Sequence, residues 1–387
     1  MSTSSFVDSS ILDKVRIGRE YVEAKFGFRN HWYPALLSNE ISEGEVVPVE
    51  LLGEKIVLRR IDGRLFGLRD FCVHRGVQLS KKIECYTKQT ITCWYHGFTY
   101  RFSDGVLDSI LGVGESAAIG NRKIKTYPVE EAKGMVFVFV GDDDFETPPL
   151  ANDVPPGFLD DDLVVRGLHR IVNANWRIGA ENGFDSTHIF IHKDAMLLED
   201  NDLALPLGLV PTGRNSFKRV DAEGAPKGVY DLFGEGDVIP VFEGRIDGEV
   251  VLTGRPEGKT VIPSRISMWL PGVLCVEPWP DPELTQFEWY VPVDGDRHIY
   301  FQLIGRRCKT ANEEAAFHRA FERRWETVAL RDFNDDDIWA REAMMPFYGD
   351  DTGWLREQLF ECDGNIIEWR RLASKHNRGI QRPEHLR

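Results

Sequence analysis

The sequence contains no long apolar segment, few cysteines and no excess of positive charge. Its longest uninterrupted apolar run, Met135 to Val140, is far too short to cross a bilayer. Six cysteines in 387 residues are too sparse for a disulfide scaffold. A formal net charge of −15 excludes a general attraction to nucleic acid or to anionic membranes. These absences argue against the membrane, disulfide-rich and nucleic-acid-binding classes.

Signals for export and for nucleotide binding are also missing. The N-terminal residues 1–5 form neither a basic nor an apolar signal region, which favours a soluble protein of the cytoplasm. The sequence has no Gly-x-Gly-x-x-Gly loop, so we do not expect it to bind NADH directly. What is present, 42% apolar and 28% charged residues, is the composition of an ordinary globular protein.

The pattern of apolar residues divides the chain into three parts. Residues 9–27 have the spacing of a single amphipathic helix that ends at Gly27. From Trp32 to Val140, short strands alternate with turn signals such as Asp62-Gly63, and an acidic, proline-rich segment follows. We therefore predict an N-terminal helix within residues 1–28 that packs on the last domain, an all-β domain over 29–142 and a mixed domain over 143–387.

The last part combines strand and helix patterns. Thr310 and Glu313 have the spacing of a capping box, and Phe317, Phe321 and Trp325 then follow one helical face. The sequence therefore predicts an α+β fold, with a further helix and three strands in this part. These are Trp354–Arg371 for the helix, and Arg265–Leu270, Gln286–Val291 and His298–Leu303 for the strands.

Two mixed pairs of cysteine and histidine indicate a metal site in the β domain. Cys72 and His74 form a Cys-x-His pair, and Cys93 and His96 form a Cys-x-x-His pair. Zinc is a rival, but zinc fingers group their cysteines together and their histidines together. A Rieske [2Fe–2S] cluster needs two thiolates on one iron and two imidazoles on the other, which favours this reading.

Charge is unevenly distributed around these pairs. Residues 51–100 hold nine basic and four acidic residues, a net charge of +5, although the chain as a whole is acidic. This block is either a solvated face or a docking surface for an acidic electron donor such as a ferredoxin. Lys81 and Lys82, which closely follow the first pair, are the candidate contacts with that partner.

A second candidate metal site begins with His188 and His192. On a helix this spacing places both imidazoles on one side, where they supply two adjacent metal ligands. A 2-His-1-carboxylate iron site needs a third, acidic ligand. The run Asp335-Asp336-Asp337 at a predicted helix start is the best candidate, without a choice among the three. Asp185 either caps the histidine segment or joins the two metal sites.

With both motifs in this order, the chain resembles the catalytic α-subunits of the Rieske non-haem iron ring-hydroxylating oxygenases. The likeness runs nearly end to end and is strongest for the members that oxidise carbazole. The stretches that carry it are Phe26–Pro34, Asp202–Gly208, Gln286–Pro292 and Phe333–Met344.

The resemblance implies a Rieske domain and an α+β catalytic domain with a large antiparallel sheet and helices that carry mononuclear iron. It implies Cys72, His74, Cys93 and His96 as cluster ligands, and His188, His192 and Asp337 as iron ligands. It also implies a homotrimer without β-subunits, in which Asp185 links the cluster of one subunit to the iron of its neighbour. Electrons would come from NADH through a reductase and a ferredoxin.

The implied reaction is angular dioxygenation of carbazole with O2, which gives 2′-aminobiphenyl-2,3-diol. Ser186 and Trp279 depart from the residues common in the family, and both departures bear on substrate preference. Alternatives are a dioxygenase for dibenzofuran, dioxin, fluorene or polycyclic hydrocarbons, an O-demethylase, or a Rieske electron carrier. The candidate substrate-binding residues are Gly183, Ile189, Ile266, Leu274, Val276, Trp279, Gln286 and Phe333.

Overall fold

A computed structural model of the chain describes residues 5–185, 187–204, 217–231, 243–253, 258–260, 262 and 264–386. Ser186 and residues 205–208 lie outside the described residues. The chain divides into two compact units. The β unit consists of Arg29–Pro148 with Pro383–Arg387, and the mixed unit consists of Met1–Phe28 with Pro149–Arg382. A search of the described residues finds no helix with the length and apolarity that crossing a membrane requires.

The β unit is built from antiparallel strands, and the all-β fold predicted for it is confirmed. Among its described residues they pair in three sheets, with the strand orders β1-β10-β9, β2-β3-β4-β8 and β5-β6-β7. The strands are β1 (His31–Leu37), β2 (Val46–Leu51), β3 (Glu54–Ile61), β4 (Arg64–Arg69), β5 (Thr90–Thr92), β6 (Phe98–Arg101), β7 (Leu107–Ile110), β8 (Thr126–Tyr127), β9 (Val129–Ala132) and β10 (Met135–Val140).

The hairpin predicted at Asp62-Gly63 is confirmed, since these two residues join β3 to β4. Their φ angles are 51° and 74°, the left-handed conformation that a tight two-residue hairpin turn requires. The strand predicted over Met135–Val140 is also confirmed, and all six of its residues are buried. The core of the unit includes Cys72 and Cys93.

The mixed unit packs helices around a large antiparallel sheet. The helices are α1 (Ser9–Leu12), α2 (Arg19–Glu23), α3 (Trp176–Phe184), α4 (Met196–Asp200), α5 (Ala311–Ala320), α6 (Asn334–Tyr348), α7 (Gly353–Arg356) and α8 (Gly364–His376). The described strands are β11 (Leu163–Val172), β12 (Phe217–Val220), β13 (Gly228–Asp231), β14 (Glu243–Ile246), β15 (Glu249–Thr253), β16 (Arg265–Trp269), β17 (Val273–Glu277), β18 (Leu284–Pro292) and β19 (His298–Arg307). Seven of them form one sheet in the order β11-β19-β18-β17-β16-β13-β12, and β14 pairs with β15.

The single helix predicted over residues 9–27 is wrong. The chain forms two short helices there, because Gly18 adopts a left-handed φ of 69° that breaks the helical path before α2. Tyr21 of α2 is fully buried and packs edge-on against Trp176, Trp354 and Trp369 of the same unit. The segment is therefore held by aromatic packing rather than by helix length.

The helix predicted over Trp354–Arg371 is likewise divided, into α7 and α8. Glu357 lies between the two helices, and its carboxylate binds the guanidinium of Arg370 on α8. The capping box at Thr310 is confirmed, since Thr310 and Glu313 exchange backbone-to-side-chain hydrogen bonds of 3.2 and 3.1 Å. After α5 the chain continues as a π-helical segment, Phe321–Phe333, which leads directly into α6.

Candidate metal centres and cavity

Each Cys/His pair of the β unit lies on a tight turn, and the two turns share one hydrogen-bonding pattern. The Gly76 amide donates to the Cys72 carbonyl at 2.9 Å, and the Gly97 amide donates to the Cys93 carbonyl at 2.9 Å. Each cysteine amide donates to the carbonyl five residues later, at 2.9 and 2.7 Å. The two glycines have φ angles of 68° and 70°, so both turns need a residue that tolerates the left-handed region.

These turns bury the two thiols and expose the two imidazoles. The exposed His74 and His96 face each other with their Nδ1 atoms 3.2 Å apart. Burial raises the pKa of the Cys72 thiol, which lies 3.1 Å from the Tyr100 hydroxyl. A thiolate at this place therefore needs bound positive charge. The buried thiols of Cys72 and Cys93 and the facing imidazoles of His74 and His96 fit a Rieske [2Fe–2S] cluster.

A second group of metal-binding side chains lies in the mixed unit. One ligand atom each from His188, His192 and Asp337 lies within 4.8 Å of the others. Asp337 Oδ1 is 3.2 Å from His188 Nε2 and 3.6 Å from His192 Nε2. The α-helix expected for the histidine pair is wrong, because His188–Asp194 is wound as a 3-10 helix. The two imidazole centroids are nevertheless only 5.5 Å apart.

The triad has unsatisfied polar atoms that a metal ion would satisfy. Both ring nitrogens of His192 and Oδ1 of Asp337 are buried and make no hydrogen bond within the described part of the chain. Burial alone would raise the pKa of Asp337, but His192, His188 and Arg341 hold it well below its usual value. The carboxylate is therefore ionised, as a metal ligand must be. Two imidazoles and one carboxylate suit non-haem Fe(II).

Asp185 contacts His188 through its backbone rather than through its carboxylate. The Asp185 carbonyl is hydrogen-bonded to His188 Nδ1, which leaves Nε2 directed at Asp337. The Asp185 carboxylate instead accepts from the Thr187 amide at 2.8 Å and from the Thr187 hydroxyl at 2.7 Å. The orientation of His188 is thus set by the main chain, and the carboxylate is held at a separate position.

The fold distinguishes the three aspartates at the start of α6. Asp335 forms an ion pair with Arg170, and Asp336 Oδ2 lies 3.6 Å from His192 Nδ1. Asp337, which is 4% exposed, is the one within the triad. The choice depends on which side of α6 packs inward, and sequence spacing does not contain that information.

A cavity lies beside the triad, and the three candidate iron ligands are part of its lining. Two cross-strand rows of the large sheet form one side of it. Ile266, Val276 and Gln286 are direct neighbours on β16, β17 and β18, and Leu274 and Glu288 are neighbours in the next row. Alternate residues of a strand point to the same face, so both rows face the cavity.

The candidate substrate-binding residues all line this cavity, and their contact with substrate stays a prediction. Two further lining residues, Ser264 and Glu288, are not among the residues predicted from the sequence. A signal for Glu288 was present, since it lies two residues after Gln286 in a predicted strand and therefore shares its face. The complete lining is Gly183, His188, Ile189, His192, Ser264, Ile266, Leu274, Val276, Trp279, Gln286, Glu288, Phe333 and Asp337.

Aromatic rings shape the part of the cavity nearest the triad. Phe333 stacks on the His192 imidazole with a centroid separation of 3.7 Å and an interplanar angle of 14°. The Trp279 ring lies 5.7 Å from the Phe333 ring. All three side chains are buried. The cavity is therefore largely apolar, with polar groups concentrated at the triad and at Gln286, Glu288 and Ser264.

The surface near the cluster turns combines charge with exposed apolar groups. Lys81 and Lys82 are both exposed, and Lys82 forms an ion pair with Glu84 at 2.6 Å. Trp94 and Tyr95, which lie between Cys93 and His96, are 40% and 52% exposed. Exposed aromatic side chains grouped beside a functional centre are typical of a docking surface.

Comparison with known proteins gives matches to two families and to a full-length relative. Residues 31–128 match the Rieske [2Fe-2S] domain, and residues 139–381 match the homotrimeric ring hydroxylases. The terminal oxygenase component of carbazole 1,9a-dioxygenase from Metapseudomonas resinovorans is 56% identical over 383 residues. The match covers 98% of this chain and 99% of that protein.

Solved structures show the same similarity. The oxygenase in the reduced oxygenase–ferredoxin complex of carbazole 1,9a-dioxygenase has a TM-score of 0.94 and 54% identity, covering 100% of this chain and 98% of that one. A carbazole-bound oxygenase variant in complex with ferredoxin has the same TM-score and identity, covering 99% and 98%.

Proposed function

We propose, from the premise that the chain belongs to the Rieske non-haem iron ring-hydroxylating oxygenases, that it is the terminal oxygenase of an angular dioxygenase for carbazole. It adds both atoms of O2 to the ring carbon bonded to nitrogen and to its neighbour. The resulting hemiaminal opens to 2′-aminobiphenyl-2,3-diol. The observation that carries this proposal is the apolar cavity bounded directly by His188, His192 and Asp337.

The geometry of the two centres supports the proposed ligand assignments. Cys72, His74, Cys93 and His96 hold the [2Fe–2S] cluster on the paired turns. His188, His192 and Asp337 hold the mononuclear iron. When bound, the cluster supplies single electrons and the iron supplies open coordination positions for O2.

The cavity residues bind the substrate, orient it and exclude water. Apolar side chains such as Ile189, Leu274 and Trp279 surround a flat tricyclic ring and replace its hydration shell. Gly183 lies in the last turn of α3, where carbonyl groups lack intrahelical donors. Its carbonyl accepts the carbazole N–H and so presents the angular position to the iron site.

The role of the Gly183 carbonyl can be tested by regiochemistry. N-methylcarbazole and fluorene both lack the N–H group, so the proposal predicts that they are attacked less selectively at the angular position. Undiminished angular selectivity with these two compounds would show that this hydrogen bond does not determine the orientation.

Asp185 joins the two centres between subunits. In the homotrimer its carboxylate would provide the path for electrons between a cluster imidazole of the neighbouring subunit and His188. The separation of roles in the structure supports this proposal, because the main-chain carbonyl of Asp185 already orients His188. The carboxylate is held by Thr187 and takes no part in that contact.

Electrons reach the cluster from a ferredoxin, which receives them from NADH through a reductase. The ferredoxin docks where His74 and His96 are exposed, with Trp94 and Tyr95 as apolar contacts and Lys81 and Lys82 as charged ones. Because these donors are components of the cell interior, we place the enzyme in the cytoplasm. The mixed unit, with its triad beside a cavity, argues against a simple electron carrier, which needs only the β unit.

The decisive experiment is turnover of carbazole under ¹⁸O₂ with NADH, a ferredoxin and its reductase, followed by mass spectrometry. Two labelled atoms in 2′-aminobiphenyl-2,3-diol are the expected result. NADH consumption without this product would redirect the proposal to dibenzofuran, dioxin or fluorene, which serve as parallel substrates. Electron uptake by the cluster without any oxygenated product from the panel, in protein with a full iron content, would contradict it.

A further inference from the structure

Gln286 holds a half-satisfied amide at the cavity. Its Nε2 donates to Glu288 Oε1 at 2.5 Å. Its Oε1 is buried and has no hydrogen-bond partner among the described residues. The side chain as a whole is only 3% exposed and lines the cavity beside the iron triad. A buried amide oxygen without a donor is unfavourable, so this atom is an acceptor available to a ligand.

Glu288 determines which end of the amide is available. Its Oε2 accepts from the Tyr290 hydroxyl at 2.5 Å, and its Oε1 also accepts from Asn334 Nδ2 at 3.3 Å. The guanidinium of Arg341 lies 3.9 Å from Oε2. Burial raises the pKa of Tyr290 well above its usual value, so this phenol keeps its proton and donates. Three donors and a cation thus surround the carboxyl group of Glu288, and both of its oxygens act as acceptors.

The chemistry of this neighbour fixes the amide of Gln286 in one orientation. A half-turn of the amide would place its oxygen against the carboxylate oxygen of Glu288 and remove the only donor between them. The amide nitrogen therefore stays on Glu288. The carbonyl oxygen is left as the end that a ligand can meet.

We propose that Gln286 Oε1 accepts a hydrogen bond from the hydroxyl group of a ring-hydroxylated tricyclic arene, and that Glu288 is the positioning residue for this acceptor. The inference rests on the proposed function and extends its substrate class to monohydroxylated carbazoles. Carbazole itself has one donor, its N–H, and the Gly183 carbonyl is assigned to it. A second acceptor in the same cavity matches a second donor on the ligand.

The test is a comparison of dissociation constants without turnover. Carbazole and its isomeric monohydroxy derivatives are titrated into oxidised enzyme with both metal centres loaded and no reductant, with quenching of ligand fluorescence as the signal. At least one isomer is expected to bind more tightly than carbazole, by about 3- to 10-fold for one hydrogen bond. The quantity compared among variants is the ratio of the dissociation constant of carbazole to that of the tightest-binding isomer.

Two substitutions address the two residues. Gln286→Leu removes the acceptor at similar size and is expected to abolish the gain. Glu288→Gln supplies an amide that can donate or accept, so the Gln286 amide can adopt either orientation. The acceptor then faces the ligand only part of the time, and the gain in affinity is expected to be smaller. Because both act through one atom, the double variant is expected to lose no more than Gln286→Leu alone.

Thr285→Val is the matched control, since Thr285 adjoins Gln286 on β18 but is not part of the cavity lining. It changes a side chain of similar size on the other face of the strand, so it is expected to leave the affinities and their ratio unchanged. Absorbance of the cluster and iron content confirm that each variant is folded and loaded.

The outcomes separate the parts of the inference. If no isomer binds more tightly than carbazole, or if the gain persists in Gln286→Leu, the acceptor role is wrong. If the gain is lost in Gln286→Leu but remains undiminished in Glu288→Gln, the positioning role of Glu288 is wrong. Failure of the proposed function is a different result, namely no labelled diol from carbazole in the turnover experiment.

Discussion

The two metal centres differ in which of their ligand side chains are exposed to solvent. At the cluster turns the thiols of Cys72 and Cys93 are buried, while the imidazoles of His74 and His96 face solvent. At the triad, His192 and Asp337 are both buried, and a largely apolar cavity adjoins them. One centre thus presents its imidazole edge to the outside, and the other presents its ligands to an internal space.

This difference corresponds to what each centre must meet. Electron transfer from a protein partner requires an exposed edge, because the partner cannot enter the fold. Oxygenation of an apolar ring requires a dry site, because burial supplies the binding energy and keeps water from the reaction. The position of the histidines relative to solvent therefore says more about function than the presence of histidines does.

The largest expected effect comes from a substitution that removes one metal centre and leaves the other in place. Asp337→Ala removes the one carboxylate of the triad, so mononuclear iron is lost and product formation falls to background. The cluster absorbance is expected to remain, since its ligands all lie in the β unit. Metal analysis and visible spectroscopy of the same sample check this. Loss of both centres in this variant would mean that the two sites are not independent.

Asp185→Ala is expected to abolish turnover while both metal centres stay loaded. The main-chain carbonyl that orients His188 survives this substitution, so a loss of activity isolates the carboxylate. Single-turnover reduction of the iron by a pre-reduced cluster measures the effect. Thr187→Val is the matched control, since it removes only one of the two hydrogen bonds to that carboxylate. Wild-type turnover in Asp185→Ala would remove the bridging role.

The two turn glycines provide a smaller and graded comparison. Gly76→Ala places a side chain in open space, so it costs only the left-handed strain of about 1–2 kcal/mol. At Gly97 an added Cβ would also lie 2.8 Å from Leu111 Cβ, which adds about 1–3 kcal/mol. Cluster absorbance, monitored during thermal unfolding, should give a lower unfolding temperature for Gly97→Ala than for Gly76→Ala. Equal stabilities would contradict the close approach at Gly97.

The smallest expected effect comes from a substitution in the cavity beside the triad. Trp279→Phe reduces one ring beside Phe333 and leaves the triad intact, so both metal contents are expected to stay unchanged. The preference between carbazole and fluorene should change by less than about tenfold, as for other small changes of pocket volume. Competition between the two substrates measures it. A loss of iron instead would assign Trp279 to support of the metal centre.

The sequence is informative where chemistry is encoded in short spacings. The pairs Cys72/His74 and Cys93/His96, the hairpin at Asp62-Gly63 and the capping box at Thr310 all depend on neighbours in the chain, and the structure has the turn, hairpin or cap at each place. Local rules suffice there, because the residues that form the feature are adjacent.

The sequence is less informative where packing decides. Asp337 cannot be chosen from Asp335–Asp337 by spacing, because the choice depends on the inward face of α6. The single helix predicted over residues 9–27 fails because the left-handed Gly18 separates two short helices, and the packing of the buried Tyr21 holds the second of them. Glu288 is missed although it shares the strand face of Gln286, because a charged residue is normally expected at the surface.

The chain order of the ligands has a consequence for how the protein is made. The cluster ligands all lie within residues 72–96, whereas the iron ligands are divided between His188–His192 and Asp337. During synthesis residues 72–96 leave the ribosome before any strand of the large sheet. The iron triad can close only after α6 has emerged and packed, late in translation. Cluster assembly and iron insertion are therefore expected to be successive steps of biogenesis, in the same direction that electrons later follow.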